Sequence, residues 1–362
     1  MKTSVLKACF VMLVLVSCKN NKEGNAIVYE DITSPKALLS VVERIDLIPL
    51  QTENAPLLGS RTELFPMEDS YIVSDIENSQ VYRYSREGSF LNPIGTRGNG
   101  PGEYIDIHNV QTAAERVIVF SAPDKVLHYD LEGKLCRETH MKELGTQSWM
   151  VPEGLLTYYS YGSGRRHRVG LWEEDVETPY LEDDIDVIHF SAGAPVFSEW
   201  GGRTYFTDAY TPTVMVYSNK TIAPQITVDF KSAAIPDEFY EFEDPFAAME
   251  FLLERRFALI QRYLTNDRYQ FLEVFIQDND KMDARYGIAR DGEWDWFSMG
   301  KVGKSPLAGA FRSMDNRALY CLIDPSSFGE MSSSIISLVS NPDVIEHVSA
   351  EDNPVLAILV LK

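Results

Sequence analysis

The chain has 362 residues, of which 44% are apolar and 24% charged, with 22 glycines and 18 prolines. These proportions belong to a globular protein and exclude wholesale disorder, a collagen-like repeat or a disulfide-dense miniprotein. Acidic residues outnumber basic ones 54 to 33, a net charge of −21, which argues against nucleic acid as a partner because a polyanion is repelled everywhere but at a local basic patch.

At the N-terminus, Lys2 and Lys7 flank an apolar run from Ala8 to Val16. That run is shorter than the roughly 20 residues needed to cross a bilayer and has the design of a secretory signal. It ends in Leu15-Val16-Ser17-Cys18, which resembles the bacterial lipobox. The resemblance implies a signal peptide over residues 1–17 and acylation of Cys18, several acyl chains giving a stable anchor where one would not. Lys19 stands where an aspartate would retain a lipoprotein in the inner membrane, so in a Gram-negative host an outer-membrane position facing the periplasm is expected. Polar residues from Lys19 onward read as a flexible tether over residues 18–35. Processing would remove Lys2, Lys7 and Cys9 and leave Cys136 and Cys321 as thiols whose pairing is open.

The body repeats. Residues 71–84, 117–129 and 204–217 each read as an apolar strand, a polar loop and a second strand ending in Tyr84, Tyr129 or Tyr217. The intervals are 45 and 88 residues, the second holding two units, with Trp172 at the missing end. Residues 155–172 form a matching strand pair around Gly162-Ser163-Gly164. Alternating hairpins in units of about 45 residues predict four-stranded propeller blades. A fifth unit is predicted over 268–300 and a sixth over 305–362. Between units four and five, Phe246, Met249, Leu253, Phe257, Ile260 and Leu264 recur at helical spacing behind Asp244-Pro245, so a helical insertion is expected over 233–266. Residues 43–50 form an early strand that closes the ring by pairing with the last blade.

The segment Gly95-Thr96-Arg97-Gly98-Asn99-Gly100-Pro101-Gly102-Glu103-Tyr104 and the terminal strand from Asn353-Pro354-Val355-Leu356 to Leu361-Lys362 carry a family likeness. With the lipobox and the early strand, they resemble the six-bladed β-propeller lipoproteins related to NHL-repeat and TolB-like propellers. The resemblance covers residues 36–362 and implies an all-β, six-bladed propeller. It carries over no catalytic residue.

Candidate sites are sparse. The Gly95–Tyr104 loop lacks the Lys-Ser/Thr ending of a phosphate cradle, and its four glycines fit positive-φ turns. Arg97, Glu103 and Tyr104 could line a central opening. Arg165-Arg166-His167-Arg168 is the densest basic stretch; Arg165, Arg166 and Arg168 form either a hairpin's exposed face or a dock for an anionic sugar or acidic protein surface. Six histidines, at 108, 128, 140, 167, 189 and 347, show no close metal-ligand spacing. No cofactor is expected, although histidines from separate blades, or the acidic runs Glu173-Glu174-Asp175 and Glu182-Asp183-Asp184, could bind zinc or calcium. No nucleophile elbow occurs. The expectation is a lipid-anchored, non-catalytic module that binds an envelope protein or glycan. The alternative is a metal-dependent lyase or hydrolase with its site at the propeller axis.

Overall fold

Runs of β-branched and aromatic residues punctuated by Gly, Asn and Asp turns close into hairpins, and six sets of hairpins make the ring. The computed structural model describes residues 25–28, 32–159, 165–182, 196–208, 210–278, 281–299, 306–307 and 311–362. Blade 1 runs through Thr62–Pro66, Ser70–Asp75, Gln80–Ser85 and Phe90–Pro93, each strand antiparallel to the one before. Blade 2 spans Ile107–Ala113 to Leu135–His140, and blade 3 spans Gln147–Val151 to Val176–Glu182. Blade 4 runs from Phe197–Trp200 to Thr221–Asp229, and blade 5 from Phe257–Thr265 to Glu293–Ser298. Neighbouring sheets pack face to face over apolar cores; Ile72 and Val81 of blade 1, for example, meet Val117, Val119 and Leu127 of blade 2.

Blade 6 is assembled from both ends of the chain. Phe311–Met314, Ala318–Ile323 and Val355–Leu361 supply three strands, and Val42–Pro49 pairs antiparallel with Val355–Leu361 as the fourth. Ring closure through the early strand is as the sequence predicted. It buries Val42, Ile45 and Leu47 and leaves no open edge on the terminal strand. Upstream, Asn25–Val28 adds in parallel to the outer strand of blade 4, and Lys36–Ala37 to that of blade 5. The tether expected over residues 18–35 is therefore in part laid along the propeller rim.

The register of the repeat has a physical basis. Tyr84, Tyr129, Trp172 and Tyr217 occupy the third strands of blades 1 to 4, opposite the start of the second strand, and all four are buried. The Gly turn after that strand meets the preceding blade. Gly88 and Gly133 have φ of 87° and 79°, and a Cβ on either would sit 2.1 or 2.2 Å from the carbonyl oxygen of Pro49 or Pro93. Only glycine satisfies both the backbone angle and that approach.

The segment between blades 4 and 5 differs from expectation. One α-helix forms, Pro245–Leu253, after short 3-10 turns at Lys231–Ala233 and Asp237–Glu241, with the Asp244 side chain accepting from the Phe246 amide. It buries Ala248 and Leu252 beside Tyr210, Phe239 and Phe257, while Phe246 and Leu253 face solvent. Phe257–Thr265 is the first strand of blade 5. A bulge between Ile260 and Arg262 breaks its two-residue alternation, and that break imitates helical spacing in the sequence. Blade 5 thus starts eleven residues before its predicted beginning at 268. The reading of 233–266 as a continuous helical insertion is corrected accordingly.

Candidate functional site

The signal over residues 1–17, Cys18, Gly162-Ser163-Gly164, Asp183, Asp184 and His189 lie outside the described residues. Cys136 is an exposed thiol and Cys321 a buried one, with no disulfide between them.

The Gly95–Tyr104 segment is a structural connector away from the axis. Thr96–Arg97 pairs in parallel with Glu103–Tyr104. Tyr104 is fully buried; its hydroxyl donates to the Ile94 carbonyl and accepts from the Val81 amide. Glu103 accepts from the Gly100 amide at 2.8 Å, and Lys125 Nζ holds the Gly100 and Glu103 carbonyls. Arg97 is exposed on this connector. None of the three lines the central opening, which corrects that expectation. Apolar packing of Tyr104 against blades 1 and 2 fixes the loop between blades.

The basic stretch is dispersed by ion pairing. Arg165 pairs with Glu143 and Glu177 and lies 4.2 Å above the Tyr159 ring. His167 Nε2 contacts Glu177 at 2.8 Å. Arg168 reaches Asp208 at 2.8 Å, with the Asp208 side chain only 1% exposed. Of the three arginines, Arg166 alone is exposed. In so acidic a chain, Arg165 and Arg168 find internal carboxylates, which leaves Arg166 as the exposed arginine of the stretch.

The six first strands enclose an axial cavity of about 770 Å³. Two polar clusters meet across it, each bridging three blades. In the first, Arg262 of blade 5 contacts Glu63 of blade 1 at 3.3 Å and donates to the Arg312 carbonyl of blade 6. Arg312 in turn donates from Nε to the Thr62 carbonyl at 2.9 Å. In the second, the Glu199 carboxylate of blade 4 accepts from Gln111 of blade 2 at 3.3 Å and from the Trp149 indole of blade 3 at 3.2 Å. Both bonds fall on the same Glu199 oxygen. Further first-strand side chains stitch the ring to the next blade: Asn109 to Ser148, Gln111 to Met150 and Gln147 to Val196. These bonds satisfy amides that would otherwise be orphaned at the wall.

Behind the first cluster stands Glu273, opposite Arg262 on the next strand and 3% exposed. Burial pushes its carboxyl up to about 7, against the pull of Arg262 and Arg312 and with the push of Glu63. One of its oxygens has no hydrogen-bond partner. The native state therefore holds this proton more tightly than the unfolded chain. The stability it contributes is full below the ordinary carboxylate pKa of 4.5 and is lost as pH rises through 7. Glu273→Gln is expected to raise thermal stability at pH 8 by on the order of 3 kcal/mol and to change it little at pH 4.5. Melting curves at the two pH values check this.

Arg61, Glu63, Gln111, Trp149, Glu199, Trp200, Arg262 and Arg312 were not singled out by the sequence, because the repeat was read from second and third strands. The available signal was a polar residue inside the apolar strand upstream of each hairpin. Among the described residues, no three His, Cys, Asp or Glu side chains are grouped to hold a metal ion, so neither the histidines nor Glu173-Glu174-Asp175 assembles a ligand set there. No helix among them is long and apolar enough to cross a membrane.

Comparison with known proteins places the fold. A structure from Bacteroides fragilis NCTC 9343, of a protein described as exported, superposes with a TM-score of 0.75 at 16% identity, covering 93% of this chain and 99% of that one. A member of the DUF4221 family from Bacteroides vulgatus ATCC 8482 superposes with a TM-score of 0.53 at 11% identity, covering 89% of this chain and 97% of that one. No curated protein matches the sequence. The family model described as "Domain of unknown function (DUF4934)" matches residues 27–360.

Proposed function

For a chain that belongs to the DUF4934 family, we propose a role as a lipid-anchored envelope propeller that binds its ligand non-catalytically in the axial channel. The observation that carries this reading is the pair of three-blade clusters. They place guanidinium, carboxylate and indole groups around one cavity, while Arg165 and Arg168 of the basic stretch are used up in internal pairs. Concave sites of this size with a few convergent polar groups are the usual seat of ligand recognition. Of the expected likeness to NHL-repeat and TolB-like propellers, the six-bladed ring is the part that the fold supports.

Envelope placement is supported by the signal-like N-terminus and by structural likeness to a protein described as exported. Anchoring at Cys18 would leave seven residues before Asn25 begins to pair with blade 4, a reach of about 25 Å at full extension. The outer edge of blade 4 would then face the membrane at short range. Cys18→Ala is expected to move the protein from the membrane fraction to the soluble fraction and to abolish incorporation of labelled fatty acid. Retention in the membrane with unchanged labelling would count against the anchor. For the binding role, Trp200→Ala is expected to abolish ligand-induced thermal shifts across a saccharide panel. A folded protein that turns a panel member over would overturn the non-catalytic assignment.

A further inference from the structure

The channel lining is charged unlike the rest of the molecule. Among the described residues three arginines but only two glutamates face it, with no lysine or aspartate, in a chain where acidic residues outnumber basic ones 54 to 33. The arginines are also concentrated on one side. Arg61 extends from blade 1, Arg312 from blade 6 and Arg262 from blade 5, three successive members of the ring. In a six-membered ring, blades 6 and 1 face blades 3 and 4, which present the Trp149–Glu199 cluster and Trp200.

The three arginines are held differently. Arg262 is 9% exposed and reaches the channel wall with its guanidinium on Glu63 and the Arg312 carbonyl. Arg61 is exposed and makes no ion pair within 4 Å among the described residues. Arg312 is oriented towards the channel by the backbone carbonyls of Thr62 and Phe311. The facing side offers different chemistry. Glu199 keeps one carboxylate oxygen outside its bonds to Trp149 and Gln111. The Trp200 ring is held by an indole bond to Asp267 at 3.0 Å, which sets its orientation.

We infer that the channel takes a carboxylated saccharide, its carboxylate on Arg61, Arg262 and Arg312, its hydroxyls on Glu199 and a sugar face on Trp200. Guanidinium forks match a carboxylate in bidentate geometry. A fixed aromatic ring offers an apolar surface to the C–H face of a pyranose, and an open carboxylate oxygen accepts hydroxyl protons. The electrostatic focusing of a cleft with low-dielectric walls lets three local arginines outweigh the negative charge spread over the rest of the surface. The inference rests on the axial channel being the binding site and adds the class of ligand.

The test is calorimetric titration of the detergent-solubilised full-length protein with trigalacturonate and with the neutral galactose trimer of the same linkage. The acidic trimer is expected to bind at least tenfold more tightly, and its affinity to fall as salt rises. Arg61→Gln, at an exposed position, and Arg312→Gln are each expected to weaken the acidic trimer severalfold and leave the neutral one unchanged. Trp200→Ala is expected to abolish binding of both. Equal affinity for the two trimers, or an acidic affinity untouched by both arginine substitutions, overturns the carboxylate assignment while the channel reading survives if Trp200→Ala still abolishes binding. Binding of neither trimer also overturns the inference. Binding unaffected by Trp200→Ala and by both arginine substitutions overturns the channel reading as well.

Discussion

Leu47→Ala is expected to lower stability by about 3 kcal/mol, and a chain begun at residue 51 to yield no folded protein. Leu47 is 2% exposed and lies in the core shared by blades 5 and 6, with Val42 and Ile45 beside it. Its strand pairs with Val355–Leu361 from Val42 to Pro49, so its loss strips the last blade of its outer strand and opens the ring. The Asn341 side chain also clasps the Leu47 backbone on both sides, accepting from its amide at 3.0 Å and donating to its carbonyl at 2.7 Å. Leu57, 65% exposed, supplies the control, and its replacement by Ala should move stability by less than about 0.5 kcal/mol. Chemical denaturation of the two variants beside the parent decides the matter. Equal midpoints for Leu47→Ala and Leu57→Ala would mean that the closing strand contributes nothing.

Arg168→Ala is expected to cost about 3–5 kcal/mol, because it leaves the Asp208 carboxylate buried without its cation. Burial already raises the Asp208 pKa, against the opposing pull of Arg168 and the Tyr210 amide. Desolvation outweighs pairing at this position, and the pair is weak evidence for net stabilisation. The double substitution Arg168→Leu/Asp208→Asn should therefore recover much of the loss, since it removes the buried charge as well as its partner. A double variant no more stable than Arg168→Ala would contradict that ordering of forces. The same reasoning explains why the densest basic stretch of the sequence presents only Arg166 to solvent. Two of its three arginines are spent holding blade 3 together and to blade 4.

The fold was legible where one residue does the same job in successive units. Tyr84, Tyr129, Trp172 and Tyr217 recur because each third strand must fill the same space between sheets. Legibility failed at blade 5, where the bulge beside Ile260 shifts the apolar positions out of alternation. The channel was not legible at all. Glu63 and Arg262 are 199 residues apart, and Gln111 and Glu199 are 88 apart. No local spacing records such pairs; they meet only because the ring closes. The loops that did stand out, Gly95–Tyr104 and Arg165–Arg168, stood out for composition, and most of their polar groups are engaged in bonds between and within blades. Arg97, Glu103 and Tyr104 belong to an interblade connector rather than to the axis.

Met314 lines the channel, whereas Met249 lies on the helix between blades 4 and 5 and Met282 is exposed on blade 5. Methyl resonances of ¹³C-labelled methionines therefore report directly on where a ligand sits. On titration with trigalacturonate, the Met314 methyl is expected to shift while Met249 and Met282 stay in place. Shifts confined to Met249 or Met282, with Met314 unmoved at saturation, would contradict a binding site in the axial channel.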